Sequence, residues 1–229
     1  MLPNTRVFDT KAGLSQSSVL DVVQDSLGYI WLATQDGLNR FDGYGFTAIK
    51  PGLEQNNTQQ FYKALVVNGN TLYAGSWGGG LWALNLQTLQ SEHLGLRNHD
   101  IRALVVDAHG SLWIATHGQG IYNLRPDGSF DNYLLLETGN INTLLFHPSG
   151  ILFAGTDEGL FYYDSESSKF VLCSCYTGRT TGPRQNVNAI ALYDDQTIWV
   201  ATSKGLLLFD FVEQRLEEFN IFSQSRVRR

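Results

Sequence analysis

Three acidic residues in short turns are the first candidates for chemistry: Asp36, Asp157 and Glu158. A pair of carboxyl groups on either side of a scissile bond would suit the hydrolysis of a glycoside. Asp is also common in turns, because its side chain bonds to the backbone of the turn itself. The turns of Asp36 and Asp157 hold corresponding places in different repeats, described below, so the width of a repeat separates them. Since the sequence has neither a nucleophile elbow nor a phosphate-binding loop, we predict no catalytic residues.

The five histidines and two cysteines are the candidate metal ligands. No two histidines stand with a third ligand at a spacing typical of zinc. Cys173 and Cys175 flank Ser174, which puts both thiols on one side of an extended chain and suits neither a disulfide nor a redox pair. The sequence therefore predicts no metal site and no cofactor.

Trp77 is the strongest candidate for ligand binding, because it replaces a small polar turn residue and is followed by Gly78 and Gly79. Its ring could stack on a ligand, or it could fold back on a neighbouring blade and serve packing, as buried aromatic residues mostly do. Irregular loops on a rigid scaffold are where binding residues usually lie. Such turns and loops supply four further predicted ligand-binding residues: His99, His117, Gln119 and Arg184.

The elements that must position these residues are short strands in a repeated pattern. In the first repeat an apolar run, residues 29–33, reaches a polar turn at residues 34–37, and a second run ends at residues 42–43. Two such runs joined by an Asp-Gly turn have the sequence form of a β-hairpin. An aromatic residue recurs in the first run, at spacings of 42, 40, 40 and 46 residues: Trp31, Tyr73, Trp113, Phe153 and Trp199. Repeats of this length and character are typical of four-stranded propeller blades.

Each repeat has an inner strand before the hairpin and a more polar strand after it, which suits an outer edge that faces solvent. The third residue of the inner strand is small in four repeats, as crowding at converging strands requires, and Asp21 is the exception. The pattern predicts an all-β fold, a β-propeller of five four-stranded antiparallel blades. The repeats span residues 13–50, 60–94, 99–134, 139–173 and 185–220.

Both ends of the sequence carry parts of repeats. Residues 6–9 are predicted to form an outer strand without its own blade, and residues 221–229 resemble the start of a further blade. We therefore expect residues 1–229 to be a single propeller domain or a fragment of a larger propeller. A closed ring of five blades is the alternative, since propellers of roughly four to eight blades exist.

The composition of the 229 residues suits a folded domain, with 43% hydrophobic residues and with 23 glycines against five prolines, which favours tight turns. A net charge of −6 without a dense basic patch argues against nucleic-acid binding. No run reaches the ~18 apolar residues of a membrane span, and residues 1–5 lack the order of a signal peptide. We expect membrane attachment only through segments absent from this sequence.

The repeats resemble those of the two-component regulator propeller family, whose pattern is GLSxxxVxxIxxDxxGxIWxGTxxGLxxFDG. The first repeat follows this pattern nearly throughout, at Gly13-Leu14-Ser15, Val19, Val22, Asp25, Gly28, Ile30-Trp31, Gly37-Leu38 and Phe41-Asp42-Gly43. The third and fifth repeats match well, and the second and fourth match mainly at the hairpin. The resemblance implies the N-terminal part of the periplasmic sensor region of a bacterial receptor. Relatives carry two seven-bladed propellers, a small β-sandwich, one membrane span and an output domain such as a histidine kinase or diguanylate cyclase.

Two functions remain open at this point. The first is a non-catalytic extracytoplasmic sensor module that recognises a small polar ligand, such as the oligosaccharides to which some relatives respond, or a partner domain. Self-association, or contact with further blades of the same chain, is a second expected interaction. The other function is that of a propeller enzyme, a lyase or glycoside hydrolase acting on a carbohydrate. The lack of a catalytic set favours the sensor module.

Overall fold

The structure is a computed structural model that describes residues 6–52, 60–133, 140–173 and 186–219. In this part of the chain, twenty strands form five four-stranded sheets, and one short 3-10 helix covers Thr10–Ala12. Within every sheet the strands follow one another in chain order. We call each sheet a blade and its first strand the inner strand. The predicted all-β fold of five four-stranded blades is confirmed.

The strand bounds agree with the predicted repeats. Blade 1 consists of β1 (Val19–Gln24), β2 (Ile30–Thr34), β3 (Gly37–Phe41) and β4 (Phe46–Ile49). Blade 2 consists of β5 (Tyr62–Asn68), β6 (Thr71–Ser76), β7 (Gly80–Asn85) and β8 (Ser91–Gly95). Blade 3 consists of β9 (Ile101–Val106), β10 (Leu112–Thr116), β11 (Ile121–Leu124) and β12 (Phe130–Tyr133). Blade 4 consists of β13 (Ile141–Phe146), β14 (Leu152–Thr156), β15 (Gly159–Asp164) and β16 (Lys169–Leu172). Blade 5 consists of β17 (Val187–Leu192), β18 (Thr197–Thr202), β19 (Gly205–Asp210) and β20 (Arg215–Glu218).

The chain divides into two compact units, Met1–Leu104 and Val105–Arg229, with the boundary inside β9. The core of the first unit joins blades 1 and 2 through Trp31, Tyr62 and Trp82, all fully buried. The core of the second unit joins blades 4 and 5 and includes Phe153 and Phe209. Each core lies between neighbouring sheets, which explains why the second strands read as nearly continuous apolar runs.

In blades 1 and 3 the Trp of the second strand is held by an acidic residue of the preceding turn. In blade 1 the indole Nε1 of Trp31 donates to Oδ2 of Asp25 at 2.8 Å, while Oδ1 of Asp25 accepts the backbone N–H groups of Leu27 and Tyr29. Blade 3 repeats this arrangement, with Trp113 donating to Asp107 at 2.9 Å. A buried indole N–H needs an acceptor, so this pair accounts for the Asp and Trp of the repeat pattern.

The inner strands share a bulge at their second residue. Their pairing with the second strand skips one residue each in blades 1, 2, 4 and 5: Leu20, Lys63, Asn142 and Asn188. Arg102 holds the same position in the sequence of β9. A bulged residue lacks a partner across the ladder, and its side chain is turned away from the regular alternation of the strand.

The predicted outer strand at residues 6–9 is wrong, because these residues form no strand. Instead, the ring of Phe8 packs against Phe41 and Phe46, with centroids 4.9 Å and 5.7 Å away. Phe41 and Phe46 are cross-strand partners at the end of the β3–β4 hairpin. This segment is therefore held against blade 1 by aromatic packing and not by strand pairing.

Candidate functional site

The turns between second and third strands differ in length from blade to blade. In every blade a Thr or Ser hydroxyl at the end of the second strand donates to a Gly carbonyl across the turn, at 2.7–3.0 Å. Two residues lie between these bonded residues in blades 1, 4 and 5, but three lie there in blades 2 and 3. The longer turns are those that carry Trp77 and the pair His117 and Gln119.

Trp77 is fixed by backbone bonds to two different segments. Its N–H donates to the carbonyl of Phe61 at 2.8 Å, and it forms a β-bridge with Asp100 in the segment that leads into β9. The next residue, Gly78, donates its N–H to the carbonyl of His99 at 3.2 Å. The turn is thus held on both sides, which leaves little freedom for the indole ring above it.

The indole ring of Trp77 is both packed and accessible. It stacks on Phe61 with a centroid separation of 5.7 Å and an interplanar angle of 18°. Lys63 Nζ and Arg102 Cζ each lie 5.5 Å from its centroid, within the range of a cation–π contact. The residue nevertheless keeps 42% of its surface exposed. Trp77 therefore packs on Phe61 of its own blade and still presents part of its ring to solvent, and its role in ligand binding stays a prediction.

We call the set formed by Phe61, Lys63, Trp77, Asp100 and Arg102 the Trp77 surface. Burial lowers the pKa of Lys63, the positive charge of Arg102 lowers it further, and the carboxylate of Asp100 raises it. The two cations thus repel each other, and the carboxylate of Asp100 offsets part of this repulsion at Lys63. The Trp77 surface carries one more positive than negative charge, on a chain whose net charge is −6.

The structure places the predicted binding residues in three different situations. His99 lies beside Trp77, and its Nδ1 is 3.0 Å from the carbonyl oxygen of Arg97. His117 is exposed and Gln119 is half-buried on the longer turn of blade 3, in the second compact unit. Arg184 lies outside the described residues. Of the predicted residues in the described part of the chain, Trp77 and His99 come together on one surface.

Sequence reasoning missed Phe61, Lys63, Asp100 and Arg102. The signal for two of them was present, because the second residue of the inner strand is charged or amide-bearing in four of the five repeats: Lys63, Arg102, Asn142 and Asn188. Regular alternation along the strand does not explain polar residues at this position, whereas a bulge there does, because it turns the side chain away from the sheet pattern.

A second polar cluster surrounds Asp157 in the turn of blade 4. Its Oδ2 accepts from Asn140 at 2.7 Å, and its Oδ1 accepts from Asn142 and Asn186, both at 2.9 Å. The Nδ2 group of Asn142 also lies 3.2 Å from Oδ1 of Asn186. These bonds tie the turn of blade 4 to the entry of blade 5, so the carboxylate of Asp157 is already used in holding neighbouring blades together.

The remaining candidates for chemistry are also accounted for. Asp36 forms an ion pair with Lys50, at 2.6 Å between Oδ1 and Nζ. Within the described ranges, no three His, Cys, Asp or Glu side chains are grouped so that they could hold a metal ion. Cys173 is half-buried directly after β16, and Cys175 lies outside the described residues. In the same part of the chain no helix is long and apolar enough to cross a membrane.

Sequence comparison finds that two segments are similar to a known family. Residues 13–36 and 95–118 match the family described as two component regulator propeller. A stretch of 46 residues is 48% identical to Histidine kinase P4 of Formosa agariphila, and it covers 20% of this chain and 3% of that protein. The match to the curated relative is thus limited to a small part of its length.

Structural comparison finds the same fold in extracellular domains assigned to one and two component systems. An extracellular domain assigned to a hybrid two component system of B. thetaiotaomicron superposes with a TM-score of 0.76 at 23% identity, over 93% of this chain and 32% of that one. An extracellular domain assigned to a one component system of the same organism gives 0.75 at 17% identity, over 91% and 30%. The chain therefore spans about a third of the length of these structures. The five sheets are blades of the propeller type.

Proposed function

Because the chain carries repeats of the two component regulator propeller family, we propose that it is part of the non-catalytic, periplasmic sensor module of a bacterial signalling receptor. The repeat matches at residues 13–36 and 95–118 carry this proposal. The fold shared with extracellular domains of one and two component systems supports it. Output chemistry, such as that of a histidine kinase or a diguanylate cyclase, would belong to other parts of the receptor.

We further propose that the sensor module recognises a small polar ligand, an oligosaccharide, at the Trp77 surface. The observation behind this is an indole ring that keeps 42% of its surface exposed although its backbone is bonded to two segments. A ring fixed in this way loses little entropy on binding and offers a flat face for stacking against the apolar face of a sugar. The alternative to an oligosaccharide is a partner domain that inserts a side chain over the same ring.

A thermal-shift screen with neutral and acidic oligosaccharides tests this proposal, because a ligand that binds only the folded state raises the melting temperature. We expect at least one compound to stabilise the chain and Trp77→Ala to abolish that shift. Tyr44→Ala is the matched control, since Tyr44 is an aromatic residue on another turn with 90% exposure, and it should keep the full shift. A ligand that stabilises Trp77→Ala as much as the parent would place the site elsewhere.

Catalysis on a carbohydrate receives no support from the acidic residues of the turns. Asp36 is paired with Lys50, and Asp157 is held by three asparagine side chains.

We propose instead that interaction with other protein surfaces is the second role of the chain. The inner strands β1 and β17 expose apolar side chains, among them Val22 at 52% and Leu192 at 48%, which further blades of the same chain or a second copy would cover.

A further inference from the structure

We propose that a cavity between the turns of blades 1 and 2 binds a small, uncharged aromatic compound with a hydrogen-bond donor at its ring edge, such as a phenol or an indole. The cavity has a volume of about 330 Å³, at the lower end of the range of ligand sites. It lies in the first compact unit, between the β1–β2 turn of blade 1 and the β5–β6 and β7–β8 turns of blade 2. It shares no residue with the Trp77 surface, so this second site goes beyond the proposed function.

The same turns recur in blades 4 and 5, which provides a comparison within the molecule. Asp25 of blade 1 and His147 of blade 4 are equivalent, because each donates its backbone N–H to the carbonyl of the residue four positions later. Leu86 of blade 2 and Phe211 of blade 5 are also equivalent. Each of them donates its N–H to the carbonyl of the residue just before the second strand of its blade.

Between blades 4 and 5 an aromatic ring fills the space at these turns. The imidazole of His147 is 1% exposed and packs on Phe211, with the ring centroids 4.7 Å apart. Its Nε2 lies 3.0 Å from the carbonyl oxygen of Asp194 in the β17–β18 turn. Because a carbonyl oxygen can only accept, Nε2 is the donor. A ring with a donor at its edge is thus the group that this arrangement of turns accommodates.

Between blades 1 and 2 the corresponding space is open, since both residues are smaller. The carboxylate of Asp25 points to its own blade, where it accepts the indole N–H of Trp31 at 2.8 Å. Leu86 stands in the place of Phe211. The β5–β6 turn, which corresponds to the turn of Asp194, contributes Gly69 to the cavity wall. A bound aromatic compound would therefore take the place that His147 occupies between blades 4 and 5.

The walls of the cavity favour an uncharged ligand. Leu86 is 7% exposed and Leu27 is 71% exposed, so apolar side chains line the cavity from its interior to its rim. Gln87 adds an exposed polar side chain. Among the described residues that line the cavity, Asp25 alone is ionisable, and its carboxylate already accepts three N–H groups. An anion would be repelled, and a cation would have to compete with these bonds.

Titration of the whole chain with matched compounds, followed by two-dimensional ¹H–¹⁵N NMR, tests this inference. Phenol is compared with toluene and indole with benzofuran, since the second compound of each pair has nearly the same shape but no donor. We expect phenol or indole to bind with a Kd on the order of 1 mM, as suits compounds of this size. The amide signals of Leu27, Gly69 and Gln87 should shift. The compound without a donor should bind about three- to tenfold more weakly, the effect of one hydrogen bond.

Variants test whether the compound lies in the cavity. Leu86→Phe gives blade 2 the residue of blade 5 and should weaken binding at least tenfold by filling the space. Leu27→Ala removes an exposed wall and should weaken binding roughly two- to tenfold with little change in the melting temperature. Val212→Ala is the matched control, because Val212 is an apolar residue of the β19–β20 turn with 62% exposure, and it should bind as the parent does.

The parent chain and Leu27→Ala keep the test decisive even if Leu86→Phe fails to fold. If neither phenol nor indole binds at millimolar concentrations, or if toluene and benzofuran bind as tightly as they do, the inference is wrong. Amide shifts confined to residues outside these turns, or unchanged binding by Leu27→Ala and a folded Leu86→Phe, would also overturn it. The proposed ligand site at Trp77 is unaffected by each of these results, because the two sites have no residue in common.

Discussion

Among single residues, Asp21 shows how one side chain can join two blades. It stands in the inner strand β1 where the corresponding residues of other blades are small, such as Ala64 in β5. Its Oδ2 accepts the backbone N–H of Leu65 at 2.7 Å, and its Oδ1 accepts that of Val22. Burial raises the pKa of Asp21, although both backbone bonds act in the opposite direction. The carboxylate therefore supplies a needed acceptor at the cost of partial desolvation.

This balance predicts opposite effects for two substitutions of Asp21. Asp21→Ala leaves the N–H of the buried Leu65 without its acceptor and should lower the free energy of unfolding by about 1–2 kcal/mol at pH 7. Asp21→Asn keeps an acceptor oxygen and removes the buried charge, so its stability at pH 7 should equal or exceed that of the parent. Urea unfolding of the three chains measures both differences.

The pH dependence of the Asp21→Asn comparison follows from the raised pKa. Between the unfolded value and the higher folded value, the native state holds the proton that the unfolded chain has released. Ionisation of Asp21 thus disfavours folding above its folded pKa. The advantage of Asp21→Asn should be complete at neutral pH and shrink as the pH falls through the folded pKa toward 3.8. An advantage that grows on acidification would contradict this account.

The sequence singled out Asp21 as an exception but could not explain it. Its main partner is the backbone N–H of Leu65, which belongs to the next repeat. Residue types do not indicate which backbone N–H a side chain will bond to. The pairing of Asp25 with Trp31 was easier to anticipate, because both residues lie in the repeat pattern and are six positions apart.

At the scale of strands, Trp113 is the centre of the aromatic packing of blades 3 and 4. Its ring centroid lies 5.3 Å from that of Tyr133 in β12 and 5.1 Å from that of Tyr163 in β15, and Phe170 in β16 closes the cluster at 6.1 Å. The indole also donates to Asp107. These contacts join elements from two blades through one side chain.

We therefore expect Trp113→Ala to lower the free energy of unfolding by about 3–5 kcal/mol, the usual cost of removing a large buried aromatic side chain. Tyr44→Ala, at a residue with 90% exposure, should change it by no more than about 0.5 kcal/mol. Urea midpoints give both values. An unchanged midpoint for Trp113→Ala would show that this ring is not part of the core.

Gly75 marks a close approach between the second strand of blade 2 and the inner strand of blade 3. A Cβ atom at this position would lie 2.8 Å from Cβ of Ile101, closer than such atoms come in folded proteins. Gly75→Ala should therefore destabilise the chain by about 1–3 kcal/mol through overpacking. Gly45→Ala is the control, because nothing lies within 4 Å of the added atom. Chemical denaturation should show a shift for Gly75→Ala alone.

The hairpins could be predicted from the sequence, whereas the bulges could not. Thr34 and Gly37 reveal a hairpin because the hydroxyl–carbonyl bond between them is local and their residue types are typical of turns. The bulge at Lys63 depends on the register between β5 and β6, which residue types alone do not specify. The Trp77 surface was predicted only at Trp77 and its neighbour His99 for this reason.

For the whole molecule, the exposed inner strands β1 and β17 are the features with the widest consequences. In the first unit, Val22 of β1 is 52% exposed while the corresponding Leu65 of β5 is 5% exposed. In the second unit, Leu192 of β17 is 48% exposed while the corresponding Phe146 of β13 is half-buried. Exposed apolar faces of this kind favour association. The start of a further blade that the sequence predicts at residues 221–229 lies outside the described residues, and residue types could not predict which side chains of β1 and β17 would be exposed.

We expect the chain to self-associate and, if it is part of a larger propeller, to gain stability when two further blades are added. Light scattering over a range of concentrations should show dimers or larger species for this chain and a monomer for the extended one. Val22→Asp and Leu192→Asp should each reduce association, because a charge disfavours burial of the strand face. A chain that stays monomeric at high concentration, with unchanged stability after extension, would contradict the proposal that these faces are interfaces.

The bulge in the inner strand also bears on how repeats of this kind diverge. Duplication of one repeat copies the whole blade, and most of its positions are then tied to the core by pairing and burial. The bulged position has no partner in the ladder, and it holds Leu20, Lys63 or an asparagine while the fold of its blade stays the same. Genetic drift at this position can thus change the surface chemistry of a single blade, except where the side chain holds the next blade, as Asn142 does through Val187.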